Sequence, residues 1–181
     1  MRGILLTCGV LTYIGLAAVA GRSEIVDRIS IRVGNKMITA SEINQRVRLT
    51  AFQNGQSADL TLARRKEAGQ KLVDQRLVER EMEVGHYPRL TSSEASDLLV
   101  AYAAEKYGGN AGALGAALKA YGLTPANLEE DLARQEDLLS FLGLRFRLGN
   151  DETKADADLE AWVKDQRDHT IIEYLEKELA P

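Results

Sequence analysis

The stretch from Asp59 to Val84 carries apolar residues on two opposite sides of one helix, and this constrains the fold more than any other segment. At about 100° per residue, Val73, Leu77 and Val84 share a stripe, while Val78 and Met82 fall roughly opposite. A helix that is apolar on two sides must be packed on both. The chain therefore needs layers on each side of a central helix. The 181 residues suit one such domain rather than two ordinary ones. Gly85 closes the helix and Pro88 follows it.

The flanking segments supply those layers. Ile29-Ser30-Ile31-Arg32-Val33 alternates apolar and polar, Gly34-Asn35 is a turn pair, and Lys36 to Thr39 resumes extended character, which predicts a β-hairpin. Ser41 is the expected N-cap of a helix reaching Phe52, with Ile43 and Val47 on one side. Thr91-Ser92-Ser93-Glu94 is a capping box opening a helix that Gly108-Gly109 ends. A short helix from Ala111 to Tyr121 follows. Thr124-Pro125 then starts a longer one, with Leu128, Leu132, Leu139, Leu142 and Phe146 on one face. Gly149 to Ala155 reads as a polar linker, Asp156 to Asp168 as a helix with Trp162 as a core anchor, and Thr170 to Tyr174 either as a last strand or as that helix running on to Leu179. The fold class expected is mainly α with a small sheet.

Composition excludes several functions. With 45% hydrophobic and 28% charged residues, the chain is neither disordered nor a polytopic membrane protein. A net charge of −4 supplies no basic excess for phosphates, so no nucleic-acid partner is expected. Two histidines and one cysteine leave little for a zinc site or a His-based triad. His86 and His169 read as surface residues, and the acidic run Asp151, Glu152, Asp156, Asp158 and Glu160 lacks the glycine and spacing of a calcium loop. No nucleophile elbow, phosphate loop or dinucleotide fingerprint occurs. No catalytic residue, metal or cofactor is expected.

Ile4 to Ala20 carries no charge, follows Arg2, and ends in Ala18-Val19-Ala20 before polarity begins at Gly21. That pattern predicts a secretory signal peptide, residues 1–20, cleaved after Ala20. The rival is an uncleaved anchor, at the short edge of the roughly 20 residues that span a bilayer. Cys8 lies inside this segment, so the exported domain, residues 21–181, has no cysteine and tolerates an oxidising compartment.

Four stretches carry a family resemblance. Ile25 through Ile43, with its strand, Gly34-Asn35 turn and Ile38-Thr39-Ala40-Ser41-Glu42-Ile43, resembles the opening of SurA-type periplasmic chaperones. Leu72-Val73-Asp74-Gln75-Arg76-Leu77-Val78 is similar to that family's second-helix core, and Tyr121-Gly122-Leu123-Thr124 to its later Gly-Leu-Thr helix start. Trp162 to Arg167 and Ile171 to Tyr174 resemble the C-terminal helix and strand (156–176 here) that return onto the N-terminal hairpin. The resemblance implies a periplasmic chaperone that binds unfolded or partly folded exported polypeptides, among them outer-membrane β-barrel proteins, and that works beside the outer-membrane assembly machinery. Family members usually carry parvulin prolyl-isomerase domains, and here only about Leu148 to Ala155 could occupy their place, so isomerase activity is not implied. The runner-up is a secreted, non-catalytic adaptor docking on one folded partner; a degenerate isomerase ranks last. Peptide contacts are expected from Leu98, Tyr102, Leu114, Leu118 and Tyr121, because the helices carrying them are short, rich in small residues and bounded by glycines.

Overall fold

The hairpin and the first helix are joined without a loop because Thr39 serves both. The protein is seen here in a computed structural model that describes residues 27–146 and 152–181, apart from the side chains of 152–156. The expected signal segment, Cys8 and residues 149–151 of the expected linker lie outside the described residues. Strand β1 (Ile29–Val33) pairs antiparallel with β2 (Lys36–Thr39) across Gly34-Asn35. Gly34 takes φ +57°, the sign required at the first position of a tight hairpin turn and costly for residues with a Cβ. Thr39 then caps α1 (Ala40–Gln53): its Oγ1 accepts the Glu42 N–H at 3.2 Å, and Glu42 Oε2 accepts the Thr39 N–H at 2.8 Å. The N-cap is therefore Thr39 and not Ser41, whose N–H instead donates to Asp27 Oδ1 at 3.2 Å.

The other described helices are α2 (Leu62–Val84), α3 (Ser92–Tyr107), α4 (Ala111–Ala120), α5 (Pro125–Phe146) and α6 (Glu152–Asp168). The last strand, β3 (Ile172–Tyr174), pairs antiparallel with β1 and completes a sheet ordered β2-β1-β3, so the chain does not continue as helix past Asp168. A bulge at Ser30 shifts the β1–β2 register and turns the buried Ser30 toward the C-terminal segment. Its carbonyl accepts the N–H groups of Leu175 and Glu176 at 2.9 and 3.1 Å.

Three apolar clusters hold the elements together. The inner face of the sheet (Ile31, Val33, Ile38) packs on Ile43 and Val47 of α1, on Leu72, Val73 and Leu77 of α2, and on Leu179. Gly69 lets α2 come this close, since a Cβ there would sit 3.2 Å from Ile31 Cδ1. The far side of α1 (Leu49, Phe52) packs on Ala103, Leu114, Leu118, Leu123 and Leu128. The far side of α2 (Val78, Met82) packs on Phe141 and Leu142 of α5. The central helix is thus packed on two sides, but Val84, 71% exposed at its last turn, belongs to neither.

Three further expectations change. Leu139 is 61% exposed, and the buried stripe of α5 runs instead through Leu128, Asp131, Phe141 and Leu142. Helix α6 begins at Glu152, ahead of Asp156. Trp162 is half-buried against Phe141, ring centroids 5.7 Å apart, and so belongs to the third cluster, away from the hairpin.

Candidate functional site

The residues expected to contact peptide fall mostly in the second cluster. Leu114 and Leu118 are 3% and 0% exposed and form core, so neither offers surface to a ligand. Helix α4 is built mainly from Ala and Gly, and its two leucines are the only large groups with which it can fill the space above α1 and α5. Tyr102 and Tyr121 are half-buried around Phe52, with ring centroids 6.4 and 5.4 Å from it, and burial pushes the Tyr102 hydroxyl above its usual pKa. Leu98 is half-buried on α3 outside that cluster.

A cleft opens elsewhere, between α2, α5 and α6. It is a half-open cleft of about 270 Å³. Val78 and Met82 line one wall from α2, Leu138 the facing wall from α5, and Leu159 and Val163 enter from α6. Helix α6 packs on both α2 and α5 and so bridges them. Arg167 holds it in place, donating to Asp74 and, at 2.9 and 3.0 Å, to the side chain and carbonyl of Gln70.

One end of the cleft is polar. Asp131, fully buried, accepts from Arg46 Nη1 at 2.8 Å, Gln135 Nε2 at 2.8 Å and Gln53 Nε2 at 3.0 Å, and more weakly from Arg134 Nη2 at 3.4 Å. Arg46 also donates to Gln75 at 2.7 Å, Gln75 donates to Glu79 at 2.7 Å, and Arg76 joins Glu79 to Glu42. Burial pushes the Arg46 guanidinium below its usual pKa; Asp131 opposes that shift, and the like charge of Arg134 adds to it. Arg89 and Asp137 line the mouth, where Asp137 accepts the Leu90 N–H at 2.9 Å. Apolar side chains beside fixed charges can seat one large side chain and orient the backbone attached to it.

A second hollow, about 260 Å³, lies between α1 and the start of α2 and is lined largely by polar groups such as Asn54, Gln56, Arg64 and Glu67. Among the described residues, no group of three or more His, Cys, Asp or Glu is placed to hold a metal, and no helix is long and apolar enough to cross a membrane.

The chain matches no protein-family model and no curated protein. The cleft therefore has to be read from its own chemistry.

The sequence shows Val78 and Met82 as the second side of α2, but no local pattern marks Arg46, Asp131 and Arg134 as a set. The available signal was a carboxylate set among Leu128, Leu132 and Leu138, on a helix whose buried stripe it shares.

Proposed function

We propose that this protein is a periplasmic chaperone of the SurA type, without an isomerase domain, that binds unfolded exported polypeptides and chiefly outer-membrane β-barrel clients. The observation that supports it best is the half-open cleft, in which apolar Val78, Met82, Leu138, Leu159 and Val163 lie among charged side chains. Non-directional apolar contacts accept many sequences, and fixed charges at the rim keep the surface soluble between clients. Weak binding of the unfolded state opposes aggregation by mass action and needs no ATP. A hairpin leading directly into a helix, and a last strand returning onto β1, support the reading.

The test is dilution of a urea-unfolded barrel protein into buffer with and without the purified protein, followed by light scattering. Suppressed scattering is expected, and Leu159→Glu, which puts a charge among the apolar side chains of the cleft, should weaken it. Unchanged scattering with excess folded protein would remove the proposal. Export would appear as an N-terminus at Gly21. The outer face of the sheet favours a second reading, the adaptor, because Met37, Ile171 and Leu175 are 52%, 76% and 53% exposed around the Arg32–Glu173 ion pair. Recovery of one folded partner at fixed stoichiometry, lost on Ile171→Asp, would favour it.

A further inference from the structure

The two edges of the sheet differ. Among the described residues no strand lies beyond β3. The Ile171 carbonyl accepts the Gly34 N–H and the Leu175 N–H donates to the Ser30 carbonyl, both at 2.9 Å, with Glu173 opposite Arg32 between them. Backbone groups alternate sides along an antiparallel strand, so Ile172 and Tyr174 turn both their N–H and C=O groups away from β1. None of these groups has a hydrogen-bond partner among the described residues. On the opposite edge Glu42 accepts the Thr39 N–H and the chain enters α1 at once, which leaves Met37 alone with both groups outward. β3 carries no proline, lysine or bulge of the kinds that blunt an edge, and an unpaired row of backbone groups is a template for another chain. On the solvent face of β3, Ile171 and Leu175, 76% and 53% exposed, flank Glu173. Glu173 meets Arg32 through Oε2 alone, at 3.0 Å, which leaves Oε1 for a second cation.

We propose that the open edge of β3 takes an extended segment of an unfolded client as an added antiparallel strand, with a Lys or Arg opposite Glu173 and aliphatic side chains opposite Ile171 and Leu175. The proposal rests on the chaperone reading and adds to the cleft a contact made through the client's backbone. Backbone pairing accepts many sequences, and a barrel protein consists of strands with alternating side chains. The client residues opposite Ile172 and Tyr174 exchange both hydrogen bonds with them. The side chain opposite Glu173 then starts about 4.5–5.5 Å away at Cβ, within reach of an ion pair. A second copy of this chain fits the edge less well. Only the register that joins Ile172 of each copy to Tyr174 of the other uses all the free groups, and it sets the two Glu173 carboxylates directly opposite, which is destabilising.

The test combines amide hydrogen exchange of the protein by NMR with the capped peptide Ser-Leu-Val-Lys-Val-Leu-Ser. Bound peptide should slow exchange at Ile172 and Tyr174 about ten-fold or more, while Glu173, already paired with Arg32, changes little. N-methylation of the two valines, whose N–H groups face β3, should weaken binding about ten-fold or more. N-methylation of the two leucines, whose N–H groups face solvent, should not. Glu173→Lys should weaken this peptide and strengthen one with Glu in place of its Lys. Peptide bound with Ile172 and Tyr174 unprotected, equal effects of the two methylations, or no binding up to about 1 mM would each overturn the proposal. So would protection of these amides that rises with protein concentration in the absence of peptide, which gives the edge to a second copy. Aggregation suppression separates the failures. Suppression by a protein whose two amides stay unprotected removes this inference alone, whereas protection by the peptide with no suppression of any client keeps the edge and removes the chaperone.

Discussion

Asp131 is a carboxylate at full burial with four side chains donating to it. Its desolvation is offset only while the arginines remain, and theirs only while it does. Asp131→Ala would leave Arg46 and Arg134 without the buried carboxylate they share. A loss of about 3–5 kcal/mol is expected, read as a lower urea midpoint with an unchanged slope. Trp162 is a contrasting case. It is half-buried against Phe141, so Trp162→Ala should cost less than the about 3–5 kcal/mol of a fully buried aromatic. Neither burial could be read from sequence pattern, because an aspartate inside an apolar stripe and a tryptophan at its edge look alike until the facing helices are placed.

The elements show where local chemistry decides and where it does not. Thr91 and Glu94 form the expected capping box of α3, with Glu94 Oε2 accepting the Thr91 N–H at 2.8 Å, because every partner lies within one turn. The start of α1 has two candidate caps two residues apart, and only the closing of β2 against β1 puts Thr39 in the extended conformation a cap needs. Thr39→Ala should therefore cost about 1 kcal/mol, and Ser41→Ala much less, by thermal unfolding. The glycine-bounded section from α3 to α4 folds as expected, yet the two leucines of α4 are core. Photo-crosslinkers at Val163 on α6 should capture an unfolded barrel client, those at Tyr102 and Tyr121 should capture less, and one at the fully buried Val73 none. Strong capture at the tyrosines alone would move the client surface to α3 and α4.

At the scale of the molecule, the C-terminal segment ties the sheet to the helices. Glu176 accepts from Arg28 at 2.9 Å, from Ser30 at 3.0 Å and from Arg65 at 2.8 Å, and Leu179 fills the first cluster. The Arg65 hydrogen bond is the main cause holding the Glu176 carboxyl below its ordinary pKa of about 4.5. A carboxyl depressed in the folded state gives its full stability above its unfolded value and loses it as the pH falls through the folded one. The unfolding midpoint should accordingly drop below about pH 4.5, and Glu176→Gln should flatten that part of the profile. Truncation after Asp168 removes β3, Glu176 and Leu179 together and uncovers Ile31 and Leu72. The shortened chain should lose its cooperative transition and bind a hydrophobic dye.

Short-range patterns determined the helices, the hairpin, most of the caps and the two-sided packing of α2, because periodicity and capping depend on residues within a turn or two of each other. Tertiary structure decided the rest. Thr170 to Tyr174 carried the same apolar run whether strand or helix, and only the open edge of β1, about 140 residues away in sequence, selects strand through the pairing of Arg32 with Glu173. The cleft is a product of spacing between helices: Gln75 and Asp131 lie on elements far apart in the chain, and what each contributes depends on α6 holding α2 and α5 at a distance. Side-chain identity sets what a residue can do, but burial and the presence of a partner are properties of the assembled layers, and both of these made Asp131 and Arg134 the polar end of a site.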